Sequence, residues 1–208
     1  MEDNLQKLYE IYLQNPTISK DSREKLKGGI YFSLKGNKFD GNKFAKNALE
    51  NGATIAVIDN PNYKVSENYI LVEDALNTLQ SLAILHRSKI NIPIIGITGS
   101  NGKTTTKELI STVLKKKYNT HFTIGNYNNH IGVPLTILQI NKSHEIAIIE
   151  MGANHKKEIE FLCSISDPDF GLITNIGKAH LEGFGGVEGI KIGKSELYKH
   201  IKAKDGLI

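Results

Sequence analysis

Apolar side chains recur at Leu5, Leu8, Tyr9, Tyr12 and Leu13, and this spacing predicts a helix over residues 4–14 that Asn15-Pro16 ends. The pattern then turns β-rich. Gly29-Ile30-Tyr31-Phe32-Ser33-Leu34 reads as a strand, Lys35-Gly36-Asn37 as a turn and residues 43–51 as a helix. Short apolar runs at 53–58 and 69–72 predict two further strands. Residues 74–88 return to helical spacing, with Leu76, Leu79, Leu82, Ala83 and Leu85 inward, and Asn91-Ile92-Pro93 breaks that helix. A domain boundary is expected there, giving domains 1–90 and 91–208. Beyond it the style changes. Ile94-Ile95-Gly96-Ile97-Thr98 is a continuous apolar run, as a strand buried on both faces requires. A glycine-rich loop follows, then a helix over 103–117 with Leu109, Ile110, Val113 and Leu114 inward. Further strands are predicted at 145–151 and 170–176, with a helix between them. Strands alternating with helices predict a parallel sheet. The fold class is therefore α/β: a small mixed N-terminal domain, then a parallel-sheet domain of the phosphate-loop type. The apolar end of 205–208 reads as a strand just beginning, so the second domain is expected to be incomplete.

Composition narrows the function classes. The chain has 208 residues, 39% of them hydrophobic, enough for a packed core. Its 26 basic and 22 acidic residues leave +4, a mild charge that suits a small anionic substrate. No long basic patch points to nucleic acid. Lys115-Lys116-Lys117 reads as the dipole-matching last turn of a helix. The single cysteine, Cys163, lies in an apolar segment and reads as core. One cysteine allows no intrachain disulfide, which fits a reducing cytosol. The N-terminus lacks a basic stretch followed by an apolar run, and no stretch approaches the ~18 apolar residues of a membrane span.

The chemistry centres on Gly96-Ile97-Thr98-Gly99-Ser100-Asn101-Gly102-Lys103-Thr104-Thr105-Thr106, set between a predicted strand and a predicted helix. Glycines let the backbone aim its N–H groups at phosphate oxygens, and the helix N-terminus adds partial positive charge. Residues 99–105 are thus the candidate nucleotide cradle. Lys103 is placed to reach the β- and γ-phosphates and the Thr104 hydroxyl to hold Mg²⁺. The strict pattern has glycine six residues before the lysine, where this chain has Ile97; the loop is a variant.

That variant, followed by Lys107, resembles the nucleotide loop of the Mur ligases of bacterial cell-wall synthesis. Three more segments resemble the branch of that family that joins D-alanyl-D-alanine to UDP-N-acetylmuramoyl-tripeptide. They are Gly125-Asn126-Tyr127-Asn128-Asn129-His130-Ile131-Gly132-Val133-Pro134-Leu135-Thr136, Glu150-Met151-Gly152-Ala153-Asn154-His155, and Ile173-Thr174-Asn175-Ile176-Gly177-Lys178-Ala179-His180-Leu181-Glu182-Gly183-Phe184-Gly185. The resemblance runs from about residue 20 to the end. It implies ATP and Mg²⁺ as cofactors, phosphorylation of the tripeptide's terminal carboxylate, and attack by the dipeptide's amine on the acyl phosphate. A monomer without nucleic-acid or membrane partners is expected.

Each site residue has a plainer reading beside the family one. Glu150, at a strand's C-terminal end, is a solvated acid or a hard Mg²⁺ ligand. His180 alone reads as a hydrogen-bonded structural histidine; the resemblance implies a metal ligand. Asn126 and Asn129 alone are turn residues, and the resemblance implies contacts to the UDP-sugar. His130 and His155 read as surface or structural. Lys194-Ser195-Glu196 matches a family motif whose lysine is carbamylated by CO₂, which implies Lys194 as a metal ligand and catalytic group with Lys103 and His180. Lys191 and Gly193 stand where alanines are usual, and Lys191 is the alternative. In the first domain, Asp21-Ser22-Arg23, Phe32-Ser33-Leu34-Lys35-Gly36 and Asp40-Gly41-Asn42-Lys43-Phe44 resemble the family's UDP-binding part, implying nucleotide contacts from Ser22, Arg23 and Lys35. Alone, Asp21-Ser22 is a cap or turn. Asn42 replaces the family's histidine. The alternatives are another Mur-type or folylpolyglutamate-type ligase, an unrelated phosphate-loop phosphotransferase, or a piece that binds substrate without turnover because the family's third domain is absent.

Overall fold

The computed structural model describes residues 2–178 and 180–204, and it divides into two compact units, residues 1–85 and 86–208. Ala179 and the strand expected at 205–208 lie outside the described residues.

The first unit opens with helix α1 (Glu2–Gln14), which buries Leu8, Tyr9 and Tyr12. Strands β1 (Ile18–Ser19) and β2 (Ile30–Phe32) follow, then β3 (Lys35–Gly36) and β4 (Phe39–Asp40), helix α2 (Ala45–Glu50), β5 (Ile55–Ile58), β6 (Tyr69–Leu71) and α3 (Ala75–Lys89). Among the described residues β1, β2, β5 and β6 form one all-parallel sheet in that order. Every residue of β2 and β5 is buried, as their unbroken apolar character requires. Lys35-Gly36, expected as a turn, is instead a short strand: β3 pairs antiparallel with β4, matching Lys35 to Asp40. The helix expected from 43 starts as a 3-10 turn, Gly41–Phe44, capped by the Asp40 side chain. The division between units falls inside α3, earlier than the boundary expected near residue 90.

The second unit runs β7 (Ile94–Thr98), α4 (Lys103–Leu114), β8 (Thr120–Phe122), α5 (Gly132–Ile137), β9 (Ile146–Glu150), α6 (Glu158–Ser166), β10 (Phe170–Ile173), α7 (Leu181–Phe184) and α8 (Val187–Ala203). Its sheet is again all parallel among the described residues, in the order β10-β7-β9-β8. Register places Ile97 opposite Glu150, so the ends of β7 and β9 open together onto the glycine-rich loop. Leu109 and Val113 do not face inward; they are 65% and 70% exposed, and α4 buries Lys107 and Ser111. Helix α5 lies inside the segment expected to be a loop; Pro134 fits its first turn, where no N–H is needed.

Helix α8 packs back on α6. Glu196 reaches across and accepts hydrogen bonds from the Lys157 and Glu160 N–H groups (2.7 and 3.0 Å), satisfying donors that the start of α6 cannot use internally. An acid in that position stabilises a helix start by about 1 kcal/mol.

Candidate functional site: a phosphate loop beside a buried carboxylate

The loop between β7 and α4 is shaped by two glycines. Gly99 has φ 145°, and a Cβ there would stand 2.0 Å from Thr174 Oγ1. Gly102, with φ 76°, immediately precedes α4. The loop is propped from behind by the segment after β10. Ser100 N–H donates to Asn175 O (3.1 Å) and Asn101 N–H to Asn175 Oδ1 (3.0 Å). Thr174 Oγ1 donates to Asn101 O (2.6 Å), and Ser100 Oγ exchanges hydrogen bonds with Gly177 O and N–H. The backbone donors of Ser100 and Asn101 are therefore committed to Asn175. The first turn of α4, Lys103 to Thr105, has by helix geometry no carbonyl one turn back, so its N–H groups can serve an anion.

Lys103 lies half-buried, its ammonium donating to Gly99 O (2.8 Å) and to Ser100 O (3.4 Å). Burial pushes its pKa below the ordinary lysine value, against the pull of Glu150. Thr104 Oγ1 donates to Glu150 Oε1 (3.3 Å), and Asn128 Nδ2 donates to the same oxygen (2.8 Å). Glu150 is 1% exposed; its own N–H is held by Thr123 Oγ1 (2.9 Å), and its Oε2 has no hydrogen-bond partner. Its Oε1, on the loop side beside the Thr104 hydroxyl, is a hard oxygen donor of the kind Mg²⁺ prefers.

In front of the loop lies a cavity of about 390 Å³, lined by Lys103, Asn129, His180 and Lys194, with Asn128 and Glu158. Gly99 and Ser100 also line it. Lys194 is 2% exposed on α8; its Nζ donates to Ala153 O (3.3 Å) and lies 5.2 Å from the centre of the Phe184 ring. Burial first, and the Lys103 charge second, bring its pKa down to about 8. Gly193 makes this packing possible, since a Cβ there would stand 2.5 Å from the Phe184 ring. Lys191, the alternative, is exposed and pairs with Glu188 (3.8 Å). His180 is exposed, with φ 55°, at the start of α7. Among the described residues no three His, Cys, Asp or Glu side chains cluster as a ready cation site. Thr104 and Glu150 form one pair, while His180 and Lys194 share the cavity wall.

Asn129 lines the cavity and also caps the turn into α5, its Oδ1 accepting from Ile131 and Gly132 N–H. His130 is a cavity-lining residue too. Asn126 is exposed and outside the lining; its carbonyl accepts from Asn128 N–H (2.7 Å). Thr105 is exposed on α4. In the first unit Ser22 is buried and its hydroxyl accepts from Asn47. Arg23 forks onto Asp21, which it holds down at about 2. Lys35 pairs with Asp59 at 2.8 Å, which raises the lysine's pKa. Asn42 is buried as a link between Asp40 and Asp59. The 700 Å³ cavity of this unit is lined by other residues, among them Glu73, Asp74 and Asn77. Sequence reasoning missed Asn128, Lys107, Thr174 and Asn175 as site residues. All four stand in the quoted motifs, but only the fold shows what they touch.

Comparison with known proteins points the same way. The sequence model of the Mur ligase middle domain matches residues 97–208, and that of the Mur ligase family catalytic domain matches 17–87. The chain is 42% identical to UDP-N-acetylmuramoyl-tripeptide–D-alanyl-D-alanine ligase of Bacillus subtilis, over 92% of this chain and 42% of that protein. It is 35% identical to the Escherichia coli protein of the same name, over 87% and 40%. Among solved structures, MurF of Acinetobacter baumannii superposes with a TM-score of 0.84 at 36% identity, covering 96% of this chain and 46% of that one. MurF ligase of Thermotoga maritima in complex with ADP superposes at 0.81 with 39% identity, covering 89% and 43%. The chain thus spans less than half the length of the curated relatives it matches. The middle-domain match takes in more than half of the chain and includes the loop, the buried carboxylate and the cavity described above, and the chain belongs to the Mur ligase family.

Proposed function

We propose that this chain serves an ATP-dependent amide ligase that adds D-alanyl-D-alanine to UDP-N-acetylmuramoyl-tripeptide in the cytoplasm. The observation that carries the reading is the phosphate loop with Glu150 buried directly behind Thr104. The names of the relatives supply the substrates, and the Thermotoga relative solved in complex with ADP supports an adenine nucleotide as a ligand. The 1–90 segment would take the UDP-sugar and the 91–208 segment the ATP.

Phosphoryl transfer needs positioning and charge neutralisation more than covalent help. The first-turn N–H groups of α4 would bind phosphate oxygens, and Lys103 would swing from Gly99 O onto the β- and γ-phosphates. Thr104 and Glu150 would hold Mg²⁺, which when bound neutralises phosphate charge as the γ-phosphoryl group leaves ADP for the substrate carboxylate. The dipeptide's amine would then displace phosphate from the acyl phosphate, forming the amide. His180 and Lys194 would serve a second ion on the cavity wall. As an ammonium Lys194 repels a cation, so that role requires its carbamate. A buried, partly neutral amine is the form that can react with CO₂.

Calorimetric titration with UDP-N-acetylmuramoyl-tripeptide, beside UDP-glucose, tests the substrate assignment. Selective binding of the muropeptide is expected. Equal affinity for both sugars, or for neither, would contradict it.

A further inference from the structure

Lys107 is a buried charge that phosphate binding does not use. It lies one helical turn beyond Lys103, 0% exposed, and its Nζ has no hydrogen-bond partner. Two carboxylates are near it. Glu108 Oε1 is 3.1 Å away without hydrogen-bond geometry, on a side chain 52% exposed. Glu150 Oε2 is 3.8 Å away on a side chain 1% exposed, and it is the other buried orphan. The Phe122 ring closes another side at 5.8 Å. Charge coupling is strong where water is excluded and weak where it is not, so Glu150 is the partner that matters.

We infer that Lys107 is the standing counter-charge of Glu150: it holds the carboxylate in place before a divalent cation arrives and opposes that cation once it binds. Lys107 thus acts as a positioning residue that sets cation affinity from behind the site. The geometry divides the carboxylate cleanly. Oε1 faces Thr104 and Asn128 on the loop side, and Oε2 faces Lys107 on the core side. Burying a lone carboxylate is costly, and a fixed ammonium offsets that cost in the cation-free protein. The same ammonium repels a second positive charge a few ångströms away, so cation binding is weaker than Glu150 alone would give. The device also explains why α4 turns Lys107 inward and leaves Leu109 and Val113 outside. The opposing half of this inference rests on Glu150 as the Mg²⁺ ligand; the pairing half does not.

The test is thermal unfolding of this chain and of Lys107→Met, Glu150→Gln and the double variant, each with and without Mg²⁺. Without Mg²⁺, Lys107→Met should lower the midpoint by about 10 °C, and adding Glu150→Gln should recover most of that loss. If Lys107→Met does not fold, folding of the double variant supports the pairing and its failure overturns it. Additive losses also overturn it, because packing alone would behave so. With Mg²⁺, the upward shift should be larger in Lys107→Met than in the unsubstituted chain; a smaller or equal shift overturns the opposing role. No Mg²⁺ shift in any of the four would sink Glu150 as a cation ligand and the opposing role with it, leaving the pairing to be decided by the double-variant comparison.

Discussion

Lys194 shows how one side chain's surroundings change its chemistry. A solvated lysine is a cation at neutral pH and a poor nucleophile towards CO₂. Here the side chain is sealed by Phe184 and held by Ala153 O, on the wall of the same cavity as Lys103. Its pKa of about 8 leaves an appreciable neutral fraction under mildly alkaline conditions. In ¹³C-labelled bicarbonate the chain should show a carbamate resonance that Lys194→Met abolishes. A resonance unchanged in that variant would place any carbamate elsewhere. The motif around 194–196 was legible in the sequence, but its meaning was not. Glu196, the last residue of that motif, is spent on the start of α6. Gly193, which looks like a departure from the family, is the space that the Phe184 ring occupies.

At the scale of elements, the apolar runs of β7 and β9 were legible because a strand buried on both faces leaves an unbroken hydrophobic signature. Strand β8 was not, being three residues long, and α5 was not, because Gly132-Val133-Pro134 reads as a break. Helix α4 was found but its inward face was misjudged: Lys107 and Ser111 are buried, while Leu109 and Val113 are exposed. The packing of α5 makes a further prediction. His121 on β8 is buried, donates from Nε2 to Thr136 O (2.9 Å), and lies against the His144 ring, tilted by 47° at 4.9 Å. Burial, with a smaller contribution from His144, pushes its pKa down to about 4 from an unfolded value near ~6.5. The unfolded chain therefore binds one more proton in between. The neutral ring's contribution is fully present above pH ~6.5 and is lost as pH falls towards 4, by about 3 kcal/mol in all. Urea unfolding at pH 7 and at pH 4.5 should show this loss, and His121→Phe should flatten it. His86, whose pKa is also lowered by burial, would keep a residual slope. An undiminished slope in the variant would contradict the assignment.

At the scale of the whole molecule, two units each carry an all-parallel sheet among the described residues, and the chemistry of the second collects where β7 and β9 end. In open parallel sheets ligands gather at the strands' C-terminal ends, and the loop, Glu150 and the cavity all stand there. The motifs located this site in the sequence; the props from Thr174 and Asn175 and the grip of Asn128 on Glu150 are long-range contacts that spacing does not encode. No described helix is long and apolar enough to cross a membrane. On the proposed function, the loop binds a magnesium nucleotide through Lys103 and Glu150. The most direct test is titration of the chain with ATP, with and without Mg²⁺, beside Lys103→Ala and Glu150→Gln. Binding should be detectable and strengthened by Mg²⁺. Lys103→Ala should weaken it about tenfold or more, and Glu150→Gln should remove the Mg²⁺ dependence. An affinity that is indifferent to Mg²⁺ and to both substitutions would contradict nucleotide binding through Lys103 and Glu150.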